Sequence, residues 1–194
     1  MSTLTDLVQA QGRSSEADAE WLQLLVGDGQ LIADLAFADV VVWVPTEDDG
    51  FLAVAHSRPS SAATIFYRDI VGQQIKPELK VVSGLPSSIR RVTPPLRPCV
   101  RAVPVLRRLS PSGAQTTERP IAVLTRHSNL SEARTPGRQE LTFNQCANDL
   151  FGMIASGDFP DLAAPSGPRR GAPRAADGLI RLDPGGIVTF ASPN

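Results

Sequence analysis

An α+β fold, built on an antiparallel sheet with flanking helices, is what this sequence predicts, and three patterns carry that reading. Residues 39–45 (DVVVWVP) with 51–56 (FLAVAH), and 100–106 (VRAVPVL) with 120–126 (PIAVLTR), are two pairs of valine-rich apolar runs joined by polar loops, as antiparallel hairpins require. Amphipathic stretches at 15–36 and 136–156 flank them with apolar residues at helical spacing. The chain is 42% hydrophobic and 20% charged over 194 residues, enough apolar material for a sizeable core.

The first element is a helix from Ser15. Ser14 and Ser15 offer N-caps, and Glu16, Asp18 and Glu20 complement the dipole at its start. Trp21, Leu22, Leu25 and Val26 form an apolar stripe that Leu31, Ile32 and Leu35 renew. The stripe keeps phase across Gly27 and Gly29, so one long, imperfect helix to Ala36 is expected. The strands at 39–45 and 51–56 follow, joined by Thr46-Glu47-Asp48-Asp49-Gly50, a loop with glycine at its end. Both strands are apolar on both faces, so both faces of the sheet should be covered.

The pattern predicts a third strand over 64–70 and a short helix over 77–83 begun by Pro77. Pro86, Pro94, Pro95 and Pro98 mark a long surface loop or a lid. Pro104 asks for an edge position or a bulge in the strand over 100–106. In the helix at 136–156, Thr135 is the expected N-cap, Pro136 the first helical residue and Gly157 the stop. Phe143, Cys146, Ala147, Leu150, Phe151 and Ile154 form one continuous face, whose burial yields on the order of 10 kcal/mol before ordering costs. Cys146 lies on that face and reads as a core thiol.

Proline, glycine and arginine dominate residues 160–176 without apolar periodicity, the composition of a semi-extended linker. Beyond it, 178–182 and 187–191 alternate around Asp183-Pro184-Gly185-Gly186, a turn with proline and glycines where a hairpin needs them. Ile180 and Leu182 are expected to share a face with Val188 and Phe190. A lone two-stranded hairpin is marginal in water, and the pattern reads as the beginning of a further domain.

Charge and motif content narrow the function. Residues 1–50 hold ten acids against Arg13 alone, whereas 90–138 hold ten arginines against Glu118 and Glu132. Those arginines lack interleaved aromatics and the net charge is −1, which argues against direct nucleic-acid binding. The longest apolar run is far short of a spanning helix and the first residues lack a signal-peptide pattern, so a cytoplasmic protein with no membrane partner is expected. Two cysteines, Cys99 and Cys146, make neither a disulfide framework nor a metal site alone. No phosphate-binding loop, HExxH, CxxC or GxSxG occurs. The sequence therefore nominates no catalytic residue and no metal ligand, and it names no cofactor. His56 and His127 end strands and read as polar strand-end residues rather than as ligands or bases. Cys99 stands near Arg97 and Arg101, whose guanidinium groups favour a thiolate, making it the candidate redox residue. A pocket over the sheet near His56, Tyr67 and Arg101 is the candidate ligand site.

Three long strings carry a resemblance: the opening MSTLTDLV with LIADLAFADVVVWVP, the strand end VLTRHS, and the helix CANDLFGMIASGDFPD. They resemble the N-terminal region of actinobacterial cytosolic sensor histidine kinases. In that family a GAF-like domain precedes a PAS domain and a kinase core. The segment DGLIRLDPGGIVTFASPN is similar to the first hairpin of a PAS domain. The resemblance implies a GAF-like sensor domain over 1–159, a linker over 160–176 and the first hairpin of a truncated PAS domain over 177–194. It further implies a homodimer formed through helices, PAS and kinase domains in the parent protein, and a response regulator reached through the kinase core. Neither His56 nor His127 sits in a phosphoacceptor box, so this chain alone lacks the machinery to autophosphorylate. The function expected is a signal-sensing and dimerisation module; the alternative is a stand-alone small-molecule or redox receptor without enzymatic activity. An enzyme is the third reading, with His127 and Cys99 the pair to examine.

Overall fold

The computed structural model describes residues 3–12, 14–48, 50–75, 99–107, 119–128, 135–161 and 173–193, with backbone alone for 99–107, 119 and 120. The chain opens with α1 (Leu4–Gln9), α2 (Glu16–Gly27) and α3 (Gly29–Ala36), then β1 (Asp39–Pro45), β2 (Phe51–Ser57) and a short β3 (Gln74–Ile75). β4 (Cys99–Arg107), β5 (Arg119–His127) and α4 (Arg138–Ser156) follow, and β6 (Ile180–Leu182) with β7 (Val188–Ala191) forms a separate hairpin. The main sheet has the order β3-β2-β1-β5-β4, with every neighbouring pair antiparallel.

Two hydrophobic layers cover the two faces of this sheet, as the doubly apolar strands require. Val40, Val42 and Val44 of β1 face the helices together with Leu52, Val54 and Leu124. Val41 and Trp43 point the other way, into a smaller cluster with Ala53, Phe66, Ile70 and Val123. Strand alternation produces this division directly.

The single long helix expected over 15–36 is instead two. Asp28 ends α2 and begins α3 with φ −97° and ψ 1°, a bridge conformation that interrupts the helical ladder. The break seats Gly29 against β2, where a Cβ would collide with the Ser57 side chain. The apolar stripe still survives the break, since Trp21, Leu22, Leu25, Ile32 and Leu35 are all buried. Ahead of it lies α1, absent from the sequence expectation although its signal is legible. Thr3 and Asp6 form a reciprocal capping box, repeated by Ser15 and Asp18 at α2.

The strand expected over 64–70 is not formed; β3 occupies 74–75 instead. Thr64 and the backbone of Ile65 hydrogen-bond to the Asp39 carboxylate rather than to a strand, and side-chain bonds of this kind compete with a ladder. The helix expected over 77–83 and the loop of prolines at 86–98 lie outside the described residues. Pro104 sits on β4, an outer strand of the sheet, the edge position its missing N–H favours.

α4 begins two residues later than expected, at Arg138. Its N-cap is Gly137, not Thr135, and Pro136 precedes the helix. Phe143, Ala147, Phe151 and Ile154 are buried while Cys146 and Leu150 are partly buried against the same core. Burial raises the Cys146 thiol above its ordinary range, as suits a core thiol. Gly157 terminates the helix at φ 76°, a left-handed conformation costly for any residue with a Cβ. Gly157→Ala is therefore expected to destabilise by about 1 kcal/mol. By contrast Gly152→Ala, where a Cβ meets open space, should stabilise by about 0.5–1 kcal/mol; urea unfolding of the two variants checks the opposite signs.

The terminal hairpin differs in one respect from expectation. Arg181 pairs with Phe190 and Leu182 with Val188, so the extra residue Thr189 forms a bulge. Phe190 packs toward the core while Ile180, Leu182 and Val188 stay exposed; the bulge turns Phe190 off the face that the other three share.

Candidate functional site

Asp39 is the first residue of β1 and is wholly buried. Its partner in β5 is His127, and His56 approaches from β2, where an extra residue at Val54 shifts the register between Val42 and Trp43. His56 Nε2 donates to Asp39 Oδ1 at 3.0 Å, and the Thr64 hydroxyl donates to the same oxygen at 2.7 Å. The Ile65 N–H donates to Oδ2 at 2.8 Å. Burial alone pushes the Asp39 carboxyl up, but the bonds from His56, Thr64 and Ile65 outweigh it and hold the group below its ordinary 3.8.

His127 lies beside this group with no solvent exposure. Its Nε2 is 2.8 Å from Thr125 Oγ1, which also accepts from Trp43 Nε1 at 2.8 Å. Its Nδ1 is buried without a hydrogen-bond partner. Burial depresses its pKa from 6.5 to about 4, against an upward pull from Asp39 and with a further push down from His56. Phe66 sits between the imidazoles, its ring centroid 5.2 Å from His56 and 5.0 Å from His127, edge-on to both. The loop after β2 is thus locked onto the sheet by one carboxylate, and its phenyl ring fills the space between two histidines. Chemically this is a buried carboxylate–imidazole cluster; among the described residues no group of three or more His, Cys, Asp or Glu is arranged to hold a metal.

Of the sequence-nominated residues, His56 and Tyr67 are described with their side chains and lie in different surroundings. His56 is bonded to Asp39, whereas Tyr67 is 94% exposed and lies on the wall of a cavity of about 500 Å³ with Thr64, Ile65, Arg126 and Asn144. Cys99 and Arg101 are on β4, with Cys99 in register with His127 and Arg101 with Arg126; their side chains lie outside the described residues. Asp39, Phe66 and Thr125 were missed. An aspartate opening an otherwise apolar strand, DVVVWVP, is the signal that could have found the first of them.

A second set of contacts leads out of the sheet. Arg126 donates from Nη2 to the Ala36 carbonyl and to Asn144 Oδ1, both at 2.6 Å, joining β5 to α3 and α4. Phe143 of α4 stacks on Phe37 and meets Phe190 of β7 edge-on, each at 6.2 Å. Arg181 of β6 reaches Asp149 of α4 at 2.6 Å. α4 is therefore gripped by α3 and the main sheet on one side and by the terminal hairpin on the other.

Comparison with known proteins agrees with this architecture. The family described as "Histidine kinase PdtaS, GAF domain" matches residues 4–147. The sensor histidine kinase PdtaS of Mycolicibacterium smegmatis is 37% identical over 210 residues, covering all of this chain and 39% of the relative. Its namesake from Mycobacterium tuberculosis is 35% identical over 202 residues with the same coverage. The chain thus spans about two fifths of the length of these curated relatives. A solved structure described as the sensor region of a sensor histidine kinase superposes with a TM-score of 0.75 at 32% identity, covering all of this chain and 66% of that one. No helix among the described residues is long and apolar enough to cross a membrane. The chain belongs to the family of GAF domains found in the histidine kinase PdtaS.

Proposed function

We propose that this chain is the signal-sensing and dimerisation input module of a cytoplasmic sensor histidine kinase, regulating autophosphorylation and phosphotransfer by a kinase core outside the sequence described. The observation that carries the reading is the position of α4, whose Phe143 touches both Phe37 of the sensor layer and Phe190 of the hairpin. A signal that alters the packing of α3 or of the loop on the sheet would bias α4, and through it whatever follows. In this reading residues 1–159 are the GAF-type sensor, 160–176 the linker, and 177–194 the opening of a PAS-type domain. The exposed side chains of Ile180, Leu182, Ile187 and Val188 support a hairpin that is covered by further residues of such a domain. A response regulator is the downstream partner through the kinase core, and a small molecule near His56, Tyr67 and Arg101, or a redox signal at Cys99, is the upstream one.

The outer face of α4 supports a helix-mediated homodimer, since Leu141 and Met153 are 55% and 42% exposed there. Light scattering over a range of concentrations is expected to return the mass of a dimer. Met153→Glu, at a position 42% exposed, should shift it toward monomer by about tenfold or more in dissociation constant. A wild-type monomer at every concentration would remove the dimerisation part of the proposal.

A further inference from the structure

Among the described residues Phe37 is alone in combining a side chain with a positive φ, at φ 49° and ψ 42°. It closes α3. Its N–H donates to the Asp34 carbonyl at 3.3 Å and the Ala38 N–H donates to the Ala33 carbonyl at 3.2 Å. These are the paired bonds of a Schellman cap, drawn over the buried side chains of Ala33 and Ala38. Glycine is the residue that fits this left-handed position, because a Cβ crowds the neighbouring carbonyl. A phenylalanine there sacrifices stability at the helix end, and its ring shows what is gained. The ring is partly buried and stacks on Phe143 of α4 at 6.2 Å, with the two planes 25° apart.

The loop after β2 clasps the same junction on both sides of Phe37. On the α3 side, Asp34 Oδ1 accepts from the Ser60 N–H at 2.6 Å and from the Ser60 hydroxyl at 2.9 Å, and the Asp34 carbonyl accepts from the Ser61 hydroxyl at 2.6 Å. On the β1 side, the Asp39 carboxylate accepts from the Thr64 hydroxyl and the Ile65 N–H. Both side chains are buried, and hydrogen bonds to carboxylates are among the strong ones. Phe37 thus stands between two anchors of the loop, and its ring is a point at which the junction meets α4. The seat of the ring is not filled on every side. Phe37 lines one cavity of about 450 Å³ with Ser60, Ser61 and Phe143, and another of about 500 Å³ with Thr64, Ile65 and Tyr67. A group beside empty space lacks the contacts that would fix it, so the ring has room to shift.

We propose that residues 34–39 form a strained joint through which the loop after β2 sets the position of α4, with Phe37 as the positioning residue. Displacement of the loop pulls on Asp34 and Asp39, turns the backbone between them and shifts the Phe37 ring against Phe143. The left-handed backbone survives only while cap, loop and ring contacts agree, which makes the joint responsive to the loss of any one of them. Movement of Phe143 reaches the terminal hairpin directly, since the same ring meets Phe190 edge-on at 6.2 Å. The inference deepens the sensory reading by naming where loop and helix are coupled, and rests on it for its biological meaning. The coupling itself is a property of this chain and is independent of whether a kinase responds.

Amide hydrogen exchange of the whole chain tests the joint. Phe37→Gly relieves the backbone and removes the ring together, so opposite signs are expected in two places. Exchange at Ala38 should slow about threefold or more, whereas exchange at Cys146 and Ala147, on the turn of α4 after Phe143, should quicken about tenfold. Phe37→Tyr keeps the ring and should leave α4 within about twofold of the wild type. Thr64→Val removes one donor to Asp39 without altering either ring. It should quicken exchange at Ala147 about threefold in the wild-type background and add nothing on top of Phe37→Gly. Phe37→Leu serves if the glycine variant does not fold, with the α4 effect alone expected. Exchange that rises equally in β1, β5 and α4 would be a general loss of stability and overturns the proposal. So does an unchanged α4 or a quickened Ala38 in Phe37→Gly, or a Thr64→Val effect of the same size in both backgrounds. In each of these cases the dimer measured by light scattering stands unaffected, which separates failure of the joint from failure of the sensory reading.

Discussion

Asp39→Ala is expected to destabilise the domain by about 3–5 kcal/mol, the range for breaking a buried, fully hydrogen-bonded carboxylate and stranding its partners. The substitution leaves His56 Nε2, the Thr64 hydroxyl and the Ile65 N–H without their acceptor, all of them buried or partly buried. It should also release the loop after β2, because Thr64 and Ile65 are held to the sheet by this carboxylate. Urea unfolding measures the first effect and amide exchange at Ile65 the second. A loss below about 1 kcal/mol, the level of an ordinary surface change, would show that the loop is held by Phe66 and Ile70 alone. The pH dependence of this contribution has a definite sign. A carboxyl depressed in the folded state stabilises above its unfolded value of 3.8 and loses that contribution as pH falls through the lower folded value.

The second large effect is stability lost on mild acidification through His127. Folded, its pKa is about 4; unfolded, it is near 6.5. The unfolded chain therefore binds a proton between these values while the folded chain does not. Stability is full above pH 6.5 and declines progressively as pH falls toward 4, by about 3 kcal/mol in total. Burial is the chief cause, with Asp39 opposing it and His56 adding to it. His127→Gln should flatten the profile between pH 6.5 and 4, whatever it does to stability at neutral pH. An unchanged slope in that variant would assign the acid sensitivity to another group.

Much of the architecture was legible because it rests on local periodicity. The valine runs of β1 and β2, the stripe of α2 and α3 and the buried face of α4 all follow from spacing that no tertiary contact needed to override. Errors arose where a tertiary contact chose between local options. Gly29 could continue a helix or abut a strand, and close approach to Ser57 decided it. Residues 64–70 had strand-like composition, but Asp39 captured their polar groups across 25 and 26 positions of sequence. The polar core was the least legible part for the same reason. His56 and His127 read as strand-end residues because their partners arrive from other strands, and nothing near Asp34 in sequence announces that Ser60 will cap its carboxylate. The bulge at Thr189, which separates Phe190 from Val188, is likewise set by pairing rather than by alternation.

The central claim is that α4 carries the state of the sensor layer outward through Phe143. It is tested most directly by autophosphorylation of the full-length kinase bearing this region, comparing wild type with Phe143→Leu. Leucine keeps an apolar side chain in the core but removes the ring that meets both Phe37 and Phe190. The account predicts a change of about fivefold or more in autophosphorylation rate, the scale of a modest allosteric coupling, with the KM for ATP unaltered. An identical rate and identical KM in a folded, dimeric variant would contradict it.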